Sequence, residues 1–142
     1  MNPQFTVRAA SWGDDLAALQ SLRRSVFILE QQVPEELEWD DADARALHAL
    51  ALDAQGNPVG TGRLLPEGRI GRMAVLADWR RHGVGSAILG FLMEQARRQG
   101  HASLELSGQT HALDFYARQG FVAQGAEFMD AGIPHRKMTF RW

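Results

Sequence analysis

The stretch from residue 69 to residue 107 constrains the fold more than any other part of the chain, because its pattern is that of strand, helix and strand. Apolar and polar residues alternate over 102–107, as in a strand with one buried face. Before that strand, apolar residues recur at helical spacing from Val84 to Gln99, and Gly100 ends the helix. Two strands joined through a helix run parallel, with a right-handed crossover. The sequence therefore predicts a parallel strand pair within a larger sheet.

The rest of the chain supplies the elements of a mixed, mostly antiparallel central sheet with helices on both faces. Further strands are predicted at residues 5–10, 47–52, 59–65, 69–75 and 121–128, with a closing strand through Met138, Phe140 and Trp142. Helices are predicted at residues 16–32 and 110–119 as well, and Pro34 ends the first of them. The acidic residues 35–45 are expected to form a loop with room for one helical turn, and Gly132-Ile133-Pro134 a turn. The element order is β-α-β-β-β-α-β-α-β-β, a single α/β domain over residues 1–142.

The apolar pattern changes sides within the strand at residues 69–75. Ile70 belongs to one side of this strand, whereas Met73 and Val75 belong to the other. A β-bulge near Arg72 produces such a change and leaves backbone groups unpaired. A strand end that is buried on both sides gives a similar pattern, so both interpretations stay open.

Composition excludes several classes of protein. The 142 residues carry a formal net charge of −2, which disfavours nucleic acid as a partner bound through its phosphates. The chain has no cysteine, so disulfides, thiolate catalysis and cysteine-bound metals are excluded. No run of about 18 apolar residues exists, and the first residues lack a signal-peptide profile. We therefore expect a soluble cytoplasmic protein with no membrane partner.

The turn before the long helix has the features of an anion site, with the sequence Arg80-Arg81-His82-Gly83-Val84-Gly85-Ser86. Its two glycines allow a tight turn close to a ligand, and the helix start directs unpaired N–H groups and a positive dipole end forward. Three basic side chains add charge, so a phosphate or pyrophosphate suits the turn. A glycine-rich connection without a ligand is the alternative. The turn is neither a Walker A loop nor a dinucleotide fingerprint, because no G-K-[ST] follows and residue 88 is isoleucine.

A second segment, QTHALDFYARQGF at residues 109–121, gives the chain a family resemblance when taken with this turn. It is similar to the N-x-x-A-[IL]-x-[FL]-Y-x-x-x-G-F segment of the GNAT superfamily of acyl-CoA N-acyltransferases, whose other motif is R-x-x-G-x-G. Gln109 stands where that family usually has asparagine. A closer resemblance, to the ElaA-like branch, covers nearly the whole chain. It rests on Val26-Phe27, Glu30-Gln31-Gln32, Asp40-Asp41, His48, Gly71-Arg72, Val75 and Gly132-Ile133-Pro134-His135.

The resemblance implies an N-acetyltransferase that uses acetyl-CoA as its acyl donor. Backbone groups of Met73, Ala74 and Val75 would hold the pantetheine arm, and one N–H would polarise the acyl carbonyl. The other residues implied to contact the cofactor are Arg80, Arg81, His82, Gly83, Val84, Gly85, Ser86 and Gln109, and the amides from residue 81 to residue 86 would hold the pyrophosphate.

Tyr116 is the implied general acid for the thiolate leaving group. A free phenol, with a pKa near 10, is a weaker acid than a thiol near 8.5. Tyr116 would therefore help through a strong hydrogen bond or a locally lowered pKa. The alternative is a packed core aromatic that shares a helix face with Ala112 and Leu113.

The sequence leaves the general base and the acceptor site open. Candidate bases are Glu30, His48, His111, His135, Glu105 and Glu127. Contacts to the acceptor are expected from Glu30, Gln31, His48 and His135, since the family's first helices form a wall of the acceptor pocket. The acidic stretch at residues 35–45 suits a cationic amine or is a solvated face. No metal is predicted, because His111 and His135 lack the spacing of metal ligands.

The expected partner is a primary amine of a small molecule or a peptide. A CoA-binding sensor without turnover is the alternative from another class, and it predicts CoA binding without thiol release. An acyl-homoserine-lactone-type synthase is a third hypothesis, but this acidic chain offers no large basic surface for an acidic carrier protein. The resemblance also allows a homodimer, because dimers are common in the superfamily.

Overall fold

Seven strands form one mixed sheet in the order β1-β2-β3-β4-β5-β7-β6 in the computed structural model, which describes residues 4–142. The strands are β1 (Phe5–Ala10), β2 (Leu47–Asp53), β3 (Pro58–Leu64), β4 (Arg69–Val75), β5 (Ser103–Gln109), β6 (Val122–Asp130) and β7 (Ile133–Arg141). Among these seven strands, only the β4–β5 pair is parallel, and α-helical residues connect its two strands. The predicted fold class is confirmed, and the elements follow the predicted order apart from one additional short helix at Glu35–Glu38.

Four α-helices lie between the strands, and several are extended or preceded by a short turn of another helix type. They are α1 (Leu16–Arg23), α2 (Glu35–Glu38), α3 (Val84–Arg98) and α4 (Leu113–Ala117). A π-helix (Arg24–Glu30) continues α1, and 3₁₀ turns occur at Asp41–Ala44, Ala77–Trp79 and Thr110–Ala112. No helix within the described residues is long and apolar enough to cross a membrane.

Three expectations about local structure need correction. The first helix does not stay α-helical to residue 32, because Gln31 N–H donates to the Val26 carbonyl five residues back and Gln32 has a φ of 59°. The acidic stretch contains two short helical segments rather than a loop with one turn. The last turn is narrower than predicted, since Ile133 and Pro134 already belong to β7. Pro134 can belong to this strand because it lies beyond the end of β5, where its missing N–H breaks no hydrogen bond of the β5–β7 pair.

Helices cover both faces of the sheet, and β2 shows why. Its alternating side chains point to opposite faces, as in any strand. Ala49 and Ala51 belong to the cluster of buried residues that packs against α3. Leu50, between them in the sequence, packs with Leu19 and Leu22 of α1 instead. One strand therefore contributes to two apolar layers.

The predicted bulge lies in β4 at Arg72. Thr61 of β3 pairs with Ala74, but Arg63 pairs with Gly71, so one residue of β3 faces two residues of β4. Arg72 has a φ of 51°, in the left-handed region that L-residues rarely occupy. The bulge re-aims β4 just where it separates from its other neighbour.

The strands β4 and β5 pair over only two positions. Arg69 pairs with Glu105 and Ile70 with Leu106, and beyond these residues the strands diverge. Within residues 4–142, the edge of β4 that faces β5 consequently has no strand partner from residue 71 onward. The divergence opens a cleft in the middle of the sheet.

Candidate active site

The cleft between β4 and β5 has a volume of about 450 Å³. Residues 69–75 of β4 form one wall, and Ser107, Gln109 and Tyr116 from β5 and α4 form the opposite one. The remaining lining residues come mainly from the π-helix, α2 and the β6–β7 hairpin, and include Glu30, Gln31, Glu38, Asp130 and His135. The chain therefore brings together side chains that are more than a hundred residues apart in sequence.

The glycine turn at the start of α3 presents backbone N–H groups. Arg81 and Gly83 have φ values of 66° and 84°, both left-handed, and α3 begins immediately afterwards. The N–H of Ala87 donates to the Gly83 carbonyl at 3.0 Å, so the amides of residues 84–86 precede the first bond of the helix. Such amides at a helix N-terminus suit a phosphate.

The two glycines of the turn serve different purposes. A Cβ at Gly83 would meet nothing within 4 Å, so its φ of 84° is what requires glycine. A Cβ at Gly85 would lie 3.3 Å from the Phe115 ring. Gly85 thus allows α3 to pack closely against α4, whereas close approach to a ligand was the expected reason.

Arg80 is not directed at the turn as a free cation. Its two terminal nitrogens donate to the Glu30 carboxylate at 2.7 and 2.6 Å, and its Nε donates to the Val75 carbonyl at 2.9 Å. The hydrogen bonds from Arg80 hold the pKa of Glu30 below its usual range. Of the other two basic residues, Arg81 is exposed, and His82 lies edge-on to Trp79 with its Nδ1 buried.

Gln31 and Gln109, which sequence assigned to the acceptor and to the cofactor respectively, contact each other. Gln109 Nε2 donates to Gln31 Oε1 at 3.0 Å, and Gln31 Nε2 lies 3.4 Å from Gln109 Oε1. The end of the π-helix is therefore connected to both sides of the cleft. Glu30 binds Arg80, which follows β4, and Gln31 binds Gln109 at the end of β5. The two predicted subsites meet at this point.

Tyr116 lines the cleft from α4 and is largely buried. Its ring packs on Gly108, where a Cβ would come within 3.2 Å of the ring carbon Cδ2. Burial raises the pKa of Tyr116 to about 12. A locally lowered pKa, one of the two expected means of assistance, is therefore not what the free site provides. The phenol remains a hydrogen-bond donor throughout the neutral range.

A buried charge network beside the cleft was missed by the sequence analysis. Arg23 donates to Glu38 at 2.7 Å and to Asp43 at 2.6 Å, and all three side chains are almost fully buried. Arg63 donates to Asp43 and to Asp40, each at 2.8 Å. Arginines thus pair with the acids at positions 38, 40 and 43, so the acidic stretch is not an open anionic surface there, and Glu38 and Asp43 are not solvated.

The network shifts the pKa values of its acids in opposite directions. Burial raises the pKa of Glu38 despite the nearby guanidinium groups of Arg72 and Arg23. The hydrogen bond from Arg63 lowers the pKa of Asp40, which is more exposed. A sequence signal for the network existed, because Arg23 lies four residues after Leu19 on the apolar face of α1.

The histidine candidates separate into two groups. His48 is 1% exposed, its Nε2 lies 2.9 Å from the Asp43 carbonyl, and it stacks on Trp12. Burial lowers its pKa, which favours the neutral form. His48 does not line the cleft, so the structure gives no support to its expected contact with the acceptor. His111 and His135 do line the cleft.

The two remaining candidate bases are not among the residues that line the cleft. Glu105 is engaged by two cations, since it pairs with Arg69 at 3.1 Å and with Lys137 at 3.4 Å. Glu127 is exposed on β6 and does not line the cleft. Among the candidates from sequence, Glu30, His111 and His135 are the ones that the structure places at the cleft.

Comparison with known proteins bears directly on this site. The family model of the acetyltransferase (GNAT) domain matches residues 13–142, which include the whole cleft. The chain belongs to the GNAT family. The relative described as uncharacterized N-acetyltransferase YjcF of Bacillus subtilis is 38% identical to it over 121 residues, which are 82% of this chain and 86% of the relative.

Solved structures of two other proteins have the same fold. An acyl-CoA N-acyltransferase from Pseudomonas aeruginosa is 29% identical, covers 96% of this chain and 99% of its own, and superposes with a TM-score of 0.85. Escherichia coli ElaA, 24% identical, covers 97% of this chain and 100% of its own with a TM-score of 0.85, a likeness of fold. This GNAT domain is accordingly an acyltransferase whose donor substrate is an acyl-CoA.

Proposed function

We propose that this GNAT enzyme transfers an acetyl group from acetyl-CoA to a primary amine of a small molecule or a peptide. The observation that carries the proposal is the cleft itself. It has an unpaired edge of β4 on one side and Tyr116 on the other. In this proposal the acceptor nitrogen attacks the acyl carbon directly, and the chain has no cysteine that could carry the acyl group as a thioester.

The free edge of β4 is the proposed site of the pantetheine arm. Met73, Ala74 and Val75 follow the bulge and line the cleft, and no strand pairs with their β5-facing edge. An extended ligand with amide groups can hydrogen-bond to such an edge as an added strand does. The amides of residues 84–86 lie beyond Val75 along the chain, where the pyrophosphate would bind.

Tyr116, the implied general acid, is proposed to act by donating a hydrogen bond to the sulfur of the leaving group. With a pKa of about 12, its phenol is a weaker acid than a thiol, so complete proton transfer is unfavourable. A hydrogen bond from the hydroxyl to the developing thiolate stabilises that charge without complete transfer. Burial of Tyr116 excludes competing water, which strengthens this bond.

The acceptor is proposed to enter beside the π-helix and the β6–β7 hairpin. Glu30, Gln31 and His135 line the cleft from these elements, as expected for acceptor contacts. Arg80 neutralises Glu30, and arginines neutralise Glu38 and Asp40 nearby. The site is thus near neutral in charge, which suits binding of the amine in its uncharged, reactive form.

Two measurements test the proposal. Excess acetyl-CoA should raise the thermal unfolding midpoint by about 3–6 °C at 100 times its dissociation constant, with NAD and ATP as controls. Thiol release from acetyl-CoA is then followed with a panel of primary amines. Tyr116→Phe keeps the ring in its packing and should lower kcat by roughly 10²- to 10⁴-fold, with acetyl-CoA affinity retained.

Each alternative has its own outcome. A thermal shift with acetyl-CoA but no thiol release with any amine would identify the CoA-binding sensor. A Tyr116→Phe enzyme with full turnover would remove this residue from the mechanism. A shift with another nucleotide alone would show that the glycine turn binds phosphate and that the donor is wrong.

A further inference from the structure

His135 lies near the start of β7 and is paired with a residue of each neighbouring strand. It pairs with Gln109 of β5 on one side and with Phe128 of β6 on the other. Its ring stacks on Phe128 with centroids 5.9 Å apart, and the residue is 8% exposed. The register places His135 next to the residue from which the chain leads into α4 and Tyr116. Both His135 and Tyr116 line the cleft.

One ring nitrogen of His135 is fixed by its own strand. Nδ1 lies 2.7 Å from the Ile133 carbonyl oxygen. A carbonyl only accepts hydrogen bonds, so Nδ1 carries the proton, and in the neutral ring Nε2 has the free lone pair. The bond and the Phe128 stack together hold the ring in one orientation. This is the arrangement of a base held in one tautomer by a third group.

We propose that His135 is the general base of the acetyl transfer, an inference that rests on the proposed function. Nε2 takes a proton from the amine as the nitrogen–carbon bond forms. The carbon–sulfur bond breaks, and its electron pair stays on sulfur, where the Tyr116 hydroxyl donates a hydrogen bond. The proton on His135 then passes to the thiolate through solvent. The amide and the CoA thiol are released, and both side chains regain their starting state.

The other ionisable groups at the cleft are less suited to this task. Glu30, Glu38, His111, Tyr116 and Asp130 line it too, with four arginines. Arginine hydrogen bonds occupy both Glu30 and Glu38, and those from Arg80 also hold the pKa of Glu30 below its usual range. Tyr116 keeps its proton, and Asp130 and His111 are both exposed. His135 combines burial with a defined tautomer.

The test compares variants of the enzyme with acetyl-CoA and an amine that the wild type acetylates. In His135→Asn the side-chain amide can still donate to the Ile133 carbonyl, but it has no basic nitrogen. We expect kcat to fall by about 10²-fold or more at neutral pH, with the KM for acetyl-CoA unchanged. The deficit should shrink as pH rises, because hydroxide can then accept the proton from the attacking amine in place of His135. His101→Asn, away from the cleft, is the control.

A second variant separates the base from a packing role. Imidazole added to His135→Ala should restore part of the lost turnover, and thermal unfolding shows whether either variant is folded. An equal loss at every pH, or wild-type kcat in His135→Asn, would overturn the proposal. A pH-dependent fall in kcat that occurs in His111→Asn instead of His135→Asn would overturn it as well. Absence of thiol release by the wild type with every amine would overturn the proposed function as well, and the two failures are thereby distinguished.

Discussion

Tyr116 is the one tyrosine of this chain, so its ionisation can be followed alone by the near-ultraviolet absorbance of tyrosinate. Burial raises its pKa from 10.0 to about 12. We expect the absorbance of the folded protein to rise with a midpoint near pH 12, and that of the protein in denaturant near pH 10. A midpoint near 10 before unfolding would contradict the buried position of the phenol.

The same shift makes stability depend on alkaline pH. The folded state keeps the Tyr116 proton between the two pKa values, whereas the unfolded state has lost it. The free energy of unfolding is therefore undiminished below pH 10 and falls as pH rises through 12, by about 3 kcal/mol at most. Urea unfolding across this range should show the loss in the wild type and not in Tyr116→Phe.

The contacts and pKa shifts of single side chains were the most difficult properties to predict from sequence. The tyrosine motif located Tyr116, but the direction of its pKa shift depends on Gly108, Phe115 and Phe121, which pack around it. Arg80 was expected at a phosphate, and its pairing with Glu30 joins residues fifty positions apart. Local patterns carry no information on which distant carboxylate an arginine will meet.

At the scale of elements, the glycine turn leads to a mutational prediction. Gly83→Ala forces a Cβ into a φ of 84° and should destabilise the protein by about 1–2 kcal/mol. It should also weaken acetyl-CoA binding, because the turn must change its shape. Gly90→Ala is the matched control. That glycine lies within α3, where an added Cβ would meet nothing within 4 Å. Alanine should therefore stabilise the helix by about 0.5–1 kcal/mol.

Urea unfolding and an acetyl-CoA titration of both variants check this prediction. Equal affinity for acetyl-CoA in Gly83→Ala and the wild type would show that the turn does not contact the ligand.

Unlike single contacts, elements of this kind were largely predictable. Alternation in 5–10 and 102–107 and the change of sides at Arg72 are local properties of the sequence, and the structure has the strands and the bulge they indicate. The π-helix was not foreseen, because α and π turns bury the same residue types.

At the scale of the whole molecule, the buried network ties the N-terminal helices to the sheet. Arg23 from α1 meets Glu38 from α2, and Asp43 joins Arg23 to Arg63 of β3. Trp12 and Trp39 place their rings over the Arg23 guanidinium, 5.3 and 5.1 Å away. Removing one partner of such a group typically costs about 3–5 kcal/mol. Besides its apolar contacts, this network of buried ion pairs therefore holds in place the wall of the cleft that carries Glu30 and Gln31.

The two-position joint between β4 and β5 divides the sheet into a four-stranded and a three-stranded part. Few hydrogen bonds cross this joint, so the amides of residues 73–75 that face the cleft should exchange with deuterium faster than those of β2 and β3. A donor substrate bonded to that edge would take the place of the absent strand. Bound acetyl-CoA should then slow exchange at residues 73–75 while that of β2 stays the same. For as long as it is bound, the substrate would be part of the sheet.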